Sequence, residues 1–108
     1  MIDRLLKFVV SRFVVRPRGF RLSVRYLKAF LREHRNFERV DQIPDSVALL
    51  IAQEAWRRAA AREKDGRARY GMFDRELESA ADSIVAAFNG DQEVDPRIKG
   101  ILSFNNLL

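Results

Sequence analysis

Arg21, Arg25, Lys28, Arg32 and Arg35 recur at offsets of 0, 4, 7, 11 and 14 residues. On an α-helix such offsets stack side chains along one face. The five cations then form a ladder roughly 21 Å long, at ~1.5 Å of rise per residue. Arg39 extends the set a little further along the chain. Like charges one turn apart repel, so the ladder costs helix stability unless an anion answers it. The chemistry it suits is anion binding, to nucleic-acid phosphates or to an acidic protein surface. An internal answer is the alternative: Asp74, Glu78 and Asp82 fall at helical spacing further along the chain and offer carboxylates to pair with it.

Catalytic chemistry finds no comparable set. His34 is the only histidine and there is no cysteine. That excludes disulfide and thiolate chemistry and leaves zinc without its usual ligands. No Ser-His-Asp arrangement follows from the spacing. Gly66 and Gly71 lack the Lys-Ser/Thr that completes a phosphate loop. Asp74, Glu76, Glu78 and Asp82 could approach a hard cation. Acids crowding a helix start are better read as a solvated face favoured by the helix dipole. The chain is therefore expected not to be an enzyme, with no cofactor and no metal.

The elements that must carry these residues read as helices throughout. Ile2, Leu5, Leu6, Val9, Val10, Phe13 and Val14 follow the helical period, so a first helix is expected over about residues 2–15. Arg16-Pro17-Arg18-Gly19 breaks it. The ladder helix is expected from Phe20 or Arg21 to about Asn36. Its apolar stripe is read as Leu22, Tyr26, Phe30 and Phe37, widened by Leu27 and Leu31. After a connection through Ile43, Asp45 or Ser46 is the expected N-cap of a third helix ending near Lys64, before Asp65-Gly66. Its start, Val47 to Ala52, is apolar all round, which implies burial on every side. Glu54, Arg58 and Arg62 read as an exposed i, i+4 series, and the Ala59-Ala60-Ala61 run as a place for close helix approach.

A fourth helix is expected over about Phe73–Phe88, closed by Asn89-Gly90. Asp95-Pro96 can open a last short helix, with Asp95 as N-cap and Pro96 at the first helical position. The fold class is thus all-α: a small bundle of four main helices plus a short C-terminal helix. Its core is expected to centre on Tyr26, Phe30, Leu49, Leu50, Trp56, Leu77, Ile84 and Phe88.

Composition agrees with a folded chain. Among 108 residues, 47% are hydrophobic and eight are Phe, so disorder is not expected, while five Gly and three Pro suit a helical protein with few turns. The length fits one domain, residues 1–108. Its charge is uneven. Residues 1–40 hold eleven basic and three acidic side chains, +8, which leaves −3 for residues 41–108 of a net +5. A basic helical pair joined to a mildly acidic part suggests an anionic partner for the first. No apolar run approaches the ~18 residues of a membrane span. Lys7 interrupts the N-terminal apolar pattern, so no secretory signal is expected either. Membrane contact is not expected, and a cytoplasmic setting is.

The functional expectation is a non-enzymatic helical binding protein. Arg21, Arg25, Lys28, Arg32, Arg35 and Arg39 would engage an anionic partner, first of all nucleic acid. The alternative is an adaptor or small subunit, a homo-oligomer or part of a larger complex. It would dock through segregated charge and through Ile101, Leu102, Phe104 and Leu108 near the C-terminus, a segment too apolar for a free tail.

Overall fold

The computed structural model describes residues 20–62 and 70–108 of the chain. The helix expected over residues 2–15, the Arg16–Gly19 break and the Asp65-Gly66 stop lie outside the described residues. Within them the fold is all-α. Helix α1 is Arg21–His34, a 3-10 turn is Glu38–Gln42, α2 is Asp45–Ala61, α3 is Tyr70–Phe88 and α4 is Pro96–Phe104. There is no strand among the described residues. The C-terminal helix is short and begins at the expected Asp-Pro, and α3 is already helical at Tyr70, ahead of the expected Phe73.

Three helix ends share one device. Asn36, Gly90 and Asn106 take positive φ of 50, 81 and 60°, the left-handed conformation that Gly and Asn adopt most readily. Backbone N–H groups then reach back over each end: Phe37 donates to the Leu31 carbonyl (2.9 Å), Asp91 to Ala86 (3.0 Å) and Leu107 to Leu102 (3.0 Å). These bonds satisfy carbonyls that a helix end would leave open. At the start of α4, the Asp95 carboxylate accepts from the N–H groups of Arg97 (3.0 Å) and Ile98 (3.2 Å), with Pro96 at the first position. The start of α2 differs from expectation. Its N-cap residue is Pro44, and no side chain caps it. Asp45 and Ser46 sit inside the first turn, and the Asp45 carboxylate turns to Lys28 instead.

Helices α2 and α3 pack against each other, and α1 and α4 each contact both. Small residues permit this closeness: Ala48, Ala52 and Ala59 of α2 and Ala81 of α3 are fully buried. The large core side chains include Phe20, Leu27, Leu31, Ile43, Ile51, Leu77, Ile84, Ile98 and Leu102. Phe73 links them to the aromatics, meeting Phe20 edge-on at 6.4 Å and Trp56 edge-on at 5.0 Å.

Two residues expected in the core are on the surface. Leu50 is 44% exposed and Tyr26 39% exposed, whereas Trp56, Leu77 and Ile84 are buried, and Phe30, Leu49 and Phe88 are partly buried against the core. Among the described residues α2 has neighbours on only part of its circumference, and Leu50 points away from them, so its all-round apolar start is not buried all round. Tyr26 is exposed because burial on α1 centres on Ser23, Val24, Leu27 and Leu31; of the expected stripe Leu27, Leu31 and Phe37 are buried and Phe30 partly so, while Leu22 and Tyr26 are exposed. Buried charge is paired. Glu54 is buried, not exposed, and receives Arg57 (2.6 and 3.0 Å) and Arg58 (2.8 Å). Arg58 also grips Asp95, tying α2 to the cap of α4. Arg62 bridges to buried Glu76 of α3 at 2.9 Å.

Candidate functional site

At about 100° per residue, the cation ladder of α1 points roughly a quarter turn to one side of the face that α1 buries. Tyr26, Phe30 and His34 fall on the other side of that buried face. The two flanks meet different neighbours. On the ladder flank lies the start of α2. There Arg21, Arg25, Lys28 and Arg32 of α1 face Asp45, Ser46 and Leu49 of α2 across an open groove of about 700 Å³, with Val24 also in its lining. Val24 and Leu49 give it an apolar component, and the remaining lining side chains are cationic or polar. On the other flank lies α3. There the Tyr26 hydroxyl donates to Glu78 (2.8 Å), while Phe30 stacks between Tyr26 (6.4 Å) and His34 (5.1 Å). Burial, and then the hydrogen bond to Glu78, push the Tyr26 phenol up to about 12.

The structure therefore divides the six cations expected to act together. Arg21 and Arg25 are exposed and make no ion pair among the described residues. Lys28 donates to the Ile43 carbonyl (2.8 Å) and to Asp45 (2.6 Å). This hydrogen bond holds the Asp45 carboxyl below its ordinary range. Arg32 reaches Asp41 only loosely, at 3.4 Å. Arg35 turns toward α3, where its Nε bonds Asp82 at 2.5 Å and its guanidinium covers the Phe30 ring at 4.6 Å. Arg39 stands over the Phe88 ring at 5.3 Å, away from the groove. The internal answer to the ladder thus includes Asp41 and Asp45 beside the groove and Asp82 on the acidic side of α3. Asp41 and Asp45 were not legible as partners, because their approach to α1 depends on how the 3-10 turn and α2 fold back on it.

Three of the four acids of α3 have separate partners. Glu76 pairs with Arg62, Glu78 accepts from Tyr26 and Asp82 from Arg35. Among the described residues no group of three or more metal-ligating side chains comes together. No helix among them is long and apolar enough to cross a membrane.

The C-terminal candidates separate as well. Leu102 is fully buried and Ile101 partly so, while Phe104 is 88% and Leu108 50% exposed. Leu102 is therefore a core residue and not an interface candidate. It shares a face with Ile98, one turn before it, and that face meets α2 and α3. Two residues further on, Phe104 points elsewhere. No protein-family model, curated protein or solved structure matches the chain.

Proposed function

We propose that this chain is a non-enzymatic helical binding protein, cytoplasmic, that engages nucleic-acid phosphates through the α1–α2 groove. One observation carries the reading: four cations of one helix line a single open groove, two of them without an ion-pair partner among the described residues. Such a row can follow a phosphate backbone, and each phosphate neutralised releases bound counterions. The mixed lining supports a ligand with both anionic and apolar parts, which a nucleic-acid strand has in its phosphates and its base faces. The reading is tested by titrating a labelled oligonucleotide at rising salt. Affinity should fall linearly on a logarithmic scale between about 50 and 200 mM salt, for many sequences alike. Protein that shows no salt-sensitive retention on heparin or DNA would overturn it.

A second reading is favoured by one feature, the almost fully exposed Phe104 at the end of α4. Exposed aromatics of that kind are common at protein interfaces. An adaptor or oligomer built through Phe104 and Leu108 would elute above its monomer mass of 12.6 kDa. Substituting Phe104 by Ser would return it to monomer. Light scattering that gives the monomer mass for both proteins removes the oligomer.

A further inference from the structure

We infer that Asp45 sets the affinity of the groove: its carboxylate occupies Lys28 until a phosphate of the bound strand displaces it. The inference rests on the proposal that the groove takes nucleic-acid phosphates. A lysine ammonium has three donors. Lys28 gives one to the Ile43 carbonyl at 2.8 Å and one to Asp45 at 2.6 Å. The two partners differ in kind. The carbonyl belongs to the backbone and stays in place. The carboxylate belongs to a side chain that is 83% exposed, while that of Lys28 is only 20% exposed. The ammonium is therefore fixed in the wall of the groove and the carboxylate sits at its rim.

An ion pair with one partner so open to water holds weakly and is screened by salt. A phosphate entering the groove meets Arg21 and Arg25 with no internal anion paired to them among the described residues. Its next neighbour along the strand can then replace Asp45 on Lys28, whose position the Ile43 carbonyl keeps. Asp45 makes no cap bond at the start of α2, so neutralising it removes only its interaction with the helix dipole there and its pairing with Lys28. What the carboxylate does in the groove is compete with the ligand.

The experiment measures the anisotropy of a fluorescein-labelled oligothymidylate at several salt concentrations. It compares wild type, Asp45→Asn, Asp45→Ser, Lys28→Met and the Asp45→Asn, Lys28→Met double variant. Asp45→Asn and Asp45→Ser should each bind at least about threefold more tightly at ~0.1 M salt, with a salt slope steeper by about one. The gain should vanish when Lys28 is Met, because no masked cation remains to be released. Melting curves for each variant show that it is folded, and agreement of the Asn and Ser variants separates the charge from any local effect of one side chain. A gain that persists in the Lys28→Met background would be a general charge effect and would overturn the inference while leaving the groove as the binding site. Unchanged or weaker binding by both Asp45 variants would overturn it in the same way. Failure of the wild type to bind at all would remove the proposed function itself, and the inference with it.

Discussion

Asp95 serves two elements with one carboxylate. It caps the N–H groups of Arg97 and Ile98 and accepts both terminal nitrogens of Arg58 on α2. The Arg58 hydrogen bonds, and then those from the backbone, lower its pKa to about 2. An aspartate in the unfolded chain titrates near ~3.9. Because the folded value is the lower one, ionised Asp95 stabilises the fold fully above about pH 4. That contribution is lost as the pH falls through the folded value of about 2. It should amount to about 1–2 kcal/mol for a partly exposed pair. Urea melts of wild type and Asp95→Asn should differ at neutral pH and converge toward pH 2, and a difference that persists in acid would assign Asp95 a packing role instead. Asp95 as a cap was legible from Asp-Pro. Its grip on Arg58 was not, because Arg58 lies far away in sequence and is shared with buried Glu54. Trp56 is simpler. It is 3% exposed and meets Phe73 edge-on, so Trp56→Ala should cost ~3–5 kcal/mol in a denaturant melt. A loss under about 1 kcal/mol would place it at the surface.

At the scale of elements, periodicity located the helices among the described residues and misjudged part of a face on three of them, α1, α2 and α4. In α1 the aromatic positions Tyr26 and Phe30 drew the apolar stripe toward themselves. Burial centres on Leu27 and Leu31, at the edge of the expected stripe, and on Ser23 and Val24 beside them. Among the described residues α2 and α3 both contact α1, and that arrangement, not the hydropathy of single residues, decides which flank is covered. In α4 the same limit appears as a contrast between neighbours. Leu102 is fully buried and Phe104 is 88% exposed. Leu102→Ala should therefore cost ~2–5 kcal/mol, as truncations in a close-packed core do. Phe104→Ser should change stability by no more than about 0.5 kcal/mol. Thermal melts of the two variants check the pair, and a large loss from Phe104→Ser would mean that the ring is covered in solution.

At the scale of the whole molecule, the uneven charge is arranged around α1. One flank faces α3, where Glu78 and Asp82 answer Tyr26 and Arg35. The other opens as the groove, where the cations outnumber the single carboxylate of Asp45 in the lining. The ladder read from spacing is thus one row in sequence but two populations in space. Which cation belongs to which was not legible, since Arg35 and Arg32 differ only in what folds beside them. The two populations should separate in binding. Arg21→Ala with Arg25→Ala removes two exposed cations that make no ion pair among the described residues, so nucleic-acid binding should weaken and its salt slope should flatten by about two. Folding should be unaffected, because neither side chain is buried or ion-paired among the described residues. Arg35→Ala should do the reverse. Its guanidinium is already held by Asp82 and Phe30, so binding should change little, while the melting temperature falls slightly, as on loss of an exposed ion pair. Anisotropy titrations and thermal melts on the same three proteins decide the matter. Equal losses of binding in both variants would mean that the partner reads the whole ladder and pulls Arg35 away from α3.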